Sequence, residues 1–232
     1  MTADLPAQPA APGSALLRLV EVMDRLRVSC PWDRKQTHQS LAPHLLEECY
    51  EALDALESGD PAALRDELGD VLLQVVFQAR IAADRTDGTG YAIDDVAEGI
   101  IAKLVRRHPH VFGDVTVSGA DEVISNWDTI KAAERAAGPG EPGSALDSVP
   151  FGQPALTLAA QLQRRAERAG APAGLAALPA GPGEQPVSDL GAELFALVAR
   201  ARTAGVDPEL ELRAAARAYR DRVRAWEYTT HG

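Results

Sequence analysis

The fold is decided by one stretch, residues 41–81, which reads LAPHLLEECYEALDALESGDPAALRDELGDVLLQVVFQARI. Apolar residues recur at intervals of three and four on both sides of the sequence Gly59-Asp60-Pro61, as they do along one face of an α-helix. Gly59 and Asp60 are turn residues, and Asp60 is well placed to cap a helix whose first residue is Pro61. The stretch therefore predicts two helices folded back on each other as an antiparallel hairpin.

The same periodicity continues outward from this hairpin in both directions. Aromatic residues make up 5% of the chain, and runs of β-branched residues are few, which disfavours strands. The pattern therefore predicts an all-α helical bundle. Its helices are expected from Leu16 to Leu26, from just after the N-cap Thr37, from Pro61 to near Asp87, from Ile93 to Arg107, over 118–136, and near 153–169, 187–204 and 208–227.

The overall charge excludes some classes of partner. The 232 residues include 34 acidic and 23 basic side chains, a formal net charge of −11. This balance argues against binding of nucleic acid polymers or anionic membranes, which depends on Lys and Arg. The apolar runs are too short to span a membrane, and residues 1–14 lack the basic start of a secretory signal. With two cysteines and no disulfide framework, a cytoplasmic location is expected.

The net negative charge is confined to the first part of the chain. Residues 1–150 hold 25 acidic and 13 basic side chains, whereas residues 151–232 hold 9 and 10. A Gly/Pro-rich segment, 138–143, precedes the change and is typical of a linker. We therefore expect a disordered tail at 1–13, a helical domain at 14–137, a linker at 138–152 and a second helical part at 153–232.

A weak internal repeat relates the two parts. Residues 67–80 align with residues 189–202 at six identical positions, although common residues and helical periodicity supply several of these matches. In this alignment Asp70 corresponds to Ala192.

Two acidic clusters lie on the two helices of the predicted hairpin. The first contains Glu47, Glu48 and Glu51, and the second contains Glu67 and Asp70. At 100° per residue, the members of each cluster lie about 40–60° from their nearest neighbour, so each cluster projects from one helix face. The hairpin allows these two faces to meet.

Two interpretations of the acidic faces remain open at this point. Acidic faces are ordinarily solvated, but these carboxylates border the apolar stripes, where uncompensated charge is costly. Like charges at i,i+3 and i,i+4 also destabilise a helix unless a cation neutralises them. The chain contains no ExxH sequence of the kind used by di-iron bundles, and ligation by carboxylates alone suits Mg²⁺ or Mn²⁺.

Lysines are rare and fall entirely in the acidic part. Lys35, Lys103 and Lys131 are the three lysines among 23 basic residues. A carboxylate-held metal with Lys and Arg nearby is suited to a polyphosphate substrate. Taken singly, each lysine is also compatible with a plain surface position.

Five motifs follow one another along residues 14–136. They are Cys30-Pro-Trp-Asp33, Leu46-Glu-Glu-Cys-Tyr-Glu51, Asp66-Glu-Leu-Gly-Asp70, Arg106-Arg-His-Pro-His-Val-Phe112 and Trp127-x-x-Ile-Lys131. Taken together and in this order, these motifs resemble the MazG family of nucleoside triphosphate pyrophosphohydrolases. The order carries the resemblance, since a single EExxE motif has little specificity.

The resemblance implies an all-α homodimer of the MazG type that uses Mg²⁺, with Mn²⁺ as a possible substitute, to hydrolyse nucleoside triphosphates to monophosphate and pyrophosphate. The catalytic candidates are Glu47 and Glu48. Of these, Glu47 would hold a second ion or orient water. By resemblance, the metal ligands are Glu48, Glu51, Glu67 and Asp70. The residues that would bind the triphosphate are Lys103, Arg106 and Arg107, and Trp127 would contact the nucleotide. We add Lys35 and Lys131 as further candidates for substrate binding.

The C-terminal part resembles a degenerate second repeat of the same family. No EExxE motif precedes Asp189, and the segment from Lys103 to Arg107 corresponds to residues 218–222. We therefore expect this part to bind no metal and to serve packing or dimerisation. Two alternatives to a general NTP pyrophosphohydrolase stay open, namely an enzyme restricted to dUTP or a modified nucleotide and a non-catalytic interaction bundle.

Overall fold

The computed structural model describes residue 11 and residues 13–136, 143–176 and 188–231. These residues form helices, turns and loops, with no strand among them. None of the described helices is long and apolar enough to cross a bilayer. Most of the predicted tail, residues 138–142 of the predicted linker and the predicted helix start at residue 187 lie outside the described residues.

Internal contacts divide the chain into two units, Met1–Ala132 and Ala133–Gly232. The helices of the described residues follow the predicted order, and the roles assigned to the two parts stay predictions. They are α1 (Ser14–Ser29), α2 (His38–Ser58), α3 (Pro61–Ala83), α4 (Ile93–Arg107), α5 (Pro109–Phe112), α6 (Ala120–Ala136), α7 (Ala155–Arg168), α8 (Asp189–Thr203) and α9 (Pro208–His231).

The α2–α3 hairpin forms as the local sequence predicts. The Thr37 side chain accepts a hydrogen bond from the Ser40 N–H, and the Ser40 hydroxyl accepts one from the Thr37 N–H, so both ends of a capping box are present. Gly59 ends α2 with a φ of 74°, a backbone conformation that favours glycine. The Asp60 carboxylate then accepts hydrogen bonds from the first N–H groups of α3.

Helix α3 ends at Ala83, earlier than the sequence predicted. Asp87 explains the difference, because its carboxylate accepts hydrogen bonds from the backbone N–H and hydroxyl of Thr89 and pairs with Arg85. Such local side-chain bonds compete with the helical ladder and favour a turn. The chain therefore leaves the helix before Gly88, whose φ is 80°.

A small core holds the first three helices together. Its buried members come from α1, α2 and α3, and Ile93 at the start of α4 packs against it. Arg27 closes one end, because its guanidinium donates to the Asp33 and Gln36 carbonyls and to the Asp84 carboxylate. The core residues are Met23, Leu41, Val76, Phe77 and Ile81.

The second unit packs α7 and α8 around the buried Val198. The Gln163 amide of α7 donates to the Phe195 carbonyl of α8 at 2.8 Å. Arg202 of α8 pairs with Glu167 of α7 at 2.6 Å. These contacts join the two helices through neutral and charge-compensated groups.

Candidate active site

The hairpin brings three of the predicted carboxylates together. Glu48 of α2 lies opposite Glu67 and Asp70 of α3, and one oxygen from each lies within 4.8 Å of the others. Glu48 and Glu67 are half-buried, whereas Asp70 is exposed. We call these three residues the carboxylate cluster.

Another contact joins the two helices further along the hairpin. The His38 ring nitrogen Nδ1 and the Gln78 amide oxygen form a hydrogen bond that joins the start of α2 to the later part of α3. Because the helices are antiparallel, the second half of α2 then faces the first half of α3. This arrangement sets Glu48 against Glu67 and Asp70.

The negative charges of the cluster lie close together and repel one another. Burial raises the pKa of Glu48, and the charges of Asp70, Glu51, Glu47 and Glu67 raise it further. Burial likewise raises the pKa of Glu67, together with the charges of Glu51, Asp70 and Asp66. The Glu51 carboxylate thus lies close enough to raise the pKa of both residues, although it is not a member of the carboxylate cluster.

The cluster fits a hard divalent cation. Its donors are all carboxylate oxygens, the ligands that Mg²⁺, Mn²⁺ and Ca²⁺ prefer. Two ligand oxygens on opposite sides of one such ion lie about 4 to 5 Å apart, close to the spread found in the cluster. A bound cation would also relieve the mutual repulsion that raises the pKa values of Glu48 and Glu67.

Glu47 lies beside the cluster and is exposed to solvent. Its side chain is 64% exposed, and one carboxylate oxygen lies 3.7 Å from Nδ1 of His44. It contributes to the raised pKa of Glu48. Glu47 is therefore within electrostatic reach of the cluster and accessible from water.

A second predicted group gathers around Trp127. The Lys131 ammonium lies 4.1 Å from the centroid of the Trp127 ring, and the Arg107 guanidinium lies 5.9 Å from it. Both distances lie within the range of cation–π attraction. The His108 ring packs 5.9 Å from the Trp127 ring, and its Nδ1 lies 2.7 Å from the Leu104 carbonyl. His108 thus links the end of α4 to α6.

The other predicted basic residues occupy different positions. Lys103 and Arg106 are exposed on α4, where Lys103 lies one turn before Arg107 and Arg106 directly precedes it. Lys35 is exposed in the short 3-10 turn Asp33–Lys35 and belongs to neither group. The structure therefore joins Arg107, Trp127 and Lys131 in one group and Glu48, Glu67 and Asp70 in another.

Sequence reasoning gave no role to one polar residue of α3 that lies one turn after Asp70. Gln74 follows Asp70 by four residues and is 5% exposed. Its signal was a polar side chain within the apolar run of α3, where Val or Leu would be expected.

Comparison with known proteins identifies the family. Residues 36–112 match the model of the MazG nucleotide pyrophosphohydrolase domain. The chain is 37% identical over 224 residues to the "nucleoside triphosphate pyrophosphohydrolase/pyrophosphatase MazG" of Thermotoga maritima, with 90% of this chain and 84% of that protein covered. The chain belongs to the MazG family.

Other relatives differ in how much of their length the chain covers. It is 49% identical over 223 residues to the "uncharacterized 26.1 kDa protein in blaB 3'region" of Streptomyces cacaoi, covering 96% of this chain and 87% of that protein. It is 42% identical over 216 residues to the "nucleoside triphosphate pyrophosphohydrolase" of Mycolicibacterium smegmatis, covering 93% of this chain and 60% of that protein. The chain thus spans only part of the latter.

The matched MazG segment contains the α2–α3 hairpin and all of α4. It therefore includes every predicted metal ligand and the basic segment from Lys103 to Arg107. Trp127 and Lys131 lie beyond it.

Proposed function

We propose that this MazG-family enzyme uses Mg²⁺ to hydrolyse nucleoside triphosphates to nucleoside monophosphate and pyrophosphate. The observation that supports the proposal best is the convergence of Glu48, Glu67 and Asp70. Relatives named nucleoside triphosphate pyrophosphohydrolase supply the substrate class.

Four carboxylates would hold the ion. Glu48, Glu67 and Asp70 supply the converging oxygens, and Glu51 adds a fourth carboxylate whose charge already acts on Glu48 and Glu67. Mg²⁺, when bound, polarises phosphate oxygens and makes a nearby water more acidic, and Mn²⁺ has the same preference for oxygen ligands.

The reaction requires a water molecule to attack the α-phosphorus. Glu47 is exposed beside the cluster, so its carboxylate is suited to orienting that water and accepting its proton. The new bond joins the water oxygen to the α-phosphorus, and the bond from the α-phosphorus to the bridging oxygen breaks. The bridging oxygen leaves with pyrophosphate.

The leaving pyrophosphate carries the charge that the basic residues of α4 would neutralise. Lys103, Arg106 and Arg107 recur at i, i+3 and i+4, so one helix face presents three cations. Arginine pairs with phosphate oxygens in a bidentate manner, which adds geometric specificity to the charge. Trp127, with Lys131 over its ring, would contact the nucleotide, and Lys35 is a weaker candidate for substrate binding.

We also propose that the enzyme is a homodimer. Within the described residues, no side chain of α4 is buried, although the helix carries an apolar stripe. Contiguous exposed apolar surface on a water-soluble helix marks an interface. A second copy of the chain would cover it in a closed two-fold contact. The exposed members are Val96, Ile100, Ile101, Leu104 and Val105.

Product analysis tests the proposed reaction. The purified protein is incubated with each of the common NTPs and dNTPs in the presence of Mg²⁺, and pyrophosphate and orthophosphate are measured separately. The proposal predicts pyrophosphate in a one-to-one ratio with nucleoside monophosphate, and loss of both products in excess EDTA. Orthophosphate release without pyrophosphate would refute cleavage between the α- and β-phosphates.

A further inference from the structure

Gln74 is a buried polar residue with an unsatisfied oxygen. It is 5% exposed, and its amide oxygen Oε1 has no hydrogen-bond partner among the described residues. A buried acceptor without a partner costs free energy, and such a group in a folded protein calls for an explanation.

Helix geometry places Gln74 next to the carboxylate cluster. Gln74 follows Asp70 by four residues and Glu67 by seven, so the three residues share one face of α3. This is the face that meets α2, because Gln78, a further turn along, bonds to His38. Side chains on a helix lean toward its N-terminus, which directs the Gln74 amide back over the turn that carries Asp70.

The chemistry of the neighbouring groups identifies what the oxygen lacks. An amide oxygen and an ionised carboxylate both accept hydrogen bonds, so Gln74 Oε1 cannot bond directly to ionised Asp70 or Glu48. A water molecule has two hydrogens and can donate to both. Buried waters occupy polar sites of this kind, where two to four protein groups surround them.

The internal repeat offers an independent comparison. In the second unit, Ala192 stands at the position of Asp70, and Ala196 stands at the position of Gln74. The position of Val76 keeps its valine, Val198, which is also buried. The glutamine is thus missing where the metal ligand is missing, whereas a core residue of the same helix is kept.

We propose that Gln74 is a positioning residue of the metal centre, which holds a buried water against the carboxylate of Asp70 and so fixes its orientation for the ion. The inference rests on the proposed function, because it assumes that the carboxylate cluster binds a divalent cation. Groups that orient metal ligands in this way raise metal affinity substantially.

The test replaces Gln74 by methionine, which has a similar length and no hydrogen-bonding amide. Mn²⁺ alone is titrated into the full chain, without nucleotide, and its dissociation constant is measured by calorimetry or by electron paramagnetic resonance of the free ion. The melting temperature of the metal-free protein is measured in parallel. The control is Gln78→Met, the same change one turn further along the same helix face, at a residue bonded to His38.

The expected results separate the two glutamines. Gln74→Met should weaken Mn²⁺ binding about tenfold and leave the metal-free melting temperature close to that of the wild type, because the amide is removed together with the water that it binds. Gln78→Met should lower the melting temperature and keep the wild-type Mn²⁺ affinity.

Three outcomes would overturn the inference. Wild-type Mn²⁺ affinity in Gln74→Met would remove the role in metal binding. A lower metal-free melting temperature in that variant would show that Gln74 has a structural partner instead. An equal loss of affinity in Gln78→Met would show a general effect of the hairpin.

Absence of Mn²⁺ binding in the wild type would refute the proposed metal site itself.

Discussion

Helix α3 of the first unit and helix α8 of the second unit have sequences that align, but they differ in chemistry. Both bury a valine, Val76 and Val198, and both carry an arginine that pairs with a carboxylate, Arg80 and Arg202. Only α3 presents a carboxylate corresponding to Asp70. The comparison teaches that the packing of this motif and its proposed metal-binding chemistry rest on different residues.

The partner helices show the same contrast in how charge is compensated. Helix α2 carries the three glutamates of the site and has no Lys or Arg within it. Helix α7 has one acidic residue, Glu167, which Arg202 of α8 neutralises. The carboxylates of α2 and α3 thus form a cluster suited to a cation. In the second unit, the Glu167 carboxylate is instead neutralised by an arginine of the same unit.

The largest expected effect comes from removing one charge of the carboxylate cluster. Asp70→Asn should lower pyrophosphate release by at least about 100-fold, because electrostatic stabilisation of phosphoryl transfer depends on the ion that we propose Asp70 to hold. The reciprocal change in the second unit, Ala192→Asp, should leave turnover unchanged and should not restore activity to Asp70→Asn. Full turnover in Asp70→Asn would contradict the assignment of the metal site.

A smaller effect is expected from the basic residues. Arg107→Ala should reduce kcat/KM for NTPs about 10- to 100-fold, because a charge-assisted contact to the leaving pyrophosphate is lost. Arg222, at the aligned position in α9, is the matched control, and Arg222→Ala should keep wild-type kcat/KM. Equal losses in the two variants would mean that the difference between the units does not extend to their basic helices.

The pH dependence of stability gives a third way to separate the units. Burial and neighbouring carboxylates raise the pKa of Glu48 and of Glu67. At a pH just above the ordinary glutamate pKa of about 4.3, the metal-free native state therefore binds more protons than the unfolded chain. Protonation of these two glutamates consequently stabilises the native state as the pH falls. Mg²⁺ requires the ionised carboxylates, so acidification has the opposite effect on its binding.

Melting curves in EDTA and in Mg²⁺, recorded between pH 7 and pH 5, measure this difference. The increase in Tm caused by Mg²⁺ should shrink by a few degrees as the pH falls, and it should be nearly absent at every pH in Glu48→Gln. A Tm increase that stays constant with pH in the wild type would contradict ion binding at Glu48 and Glu67.

The smallest difference is expected where the two units are alike. Arg80→Ala and Arg202→Ala each remove a largely buried guanidinium, which pairs with Asp24 and Asp84 in the first case and with Glu167 in the second. Each variant should lower the free energy of unfolding by about 1 to 2 kcal/mol, the range for hydrogen bonds to charged groups. Chemical denaturation measures both. A much larger loss for Arg80 than for Arg202 would show that the shared arginine has acquired an additional role in the first unit.

Much of the fold was predictable because its determinants are local. Thr37 and Asp60 are strong N-caps, and Pro61 fits the first turn of a helix, so these boundaries follow from short-range chemistry. The end of α3 was predicted too late because the turn after it depends on bonds that Asp87 makes to Thr89 and Arg85. The short helix that begins at Pro109 was not predicted, since a proline stops one helix and can also start another.

The candidate site was predictable to the extent that it depends on helix periodicity. The spacing of Glu67 and Asp70 put both carboxylates on one face, and the hairpin brought them to Glu48. The apolar run around Gln74 was a signal in the sequence, but its 5% exposure follows only from the packing of α3 in the folded chain. The packing of His108 against Trp127 likewise depends on a tertiary contact between α4 and α6.

The central claim is that the divalent cation binds in the first unit and not in the second. Mn²⁺ titration of two matched variants tests it most directly, since Glu67 and Asp189 occupy aligned positions at which both units carry an acidic residue. Glu67→Gln is predicted to lose Mn²⁺ binding, whereas Asp189→Asn should bind Mn²⁺ with the wild-type affinity and stoichiometry. Wild-type binding in Glu67→Gln, or loss of binding in Asp189→Asn, would contradict the account.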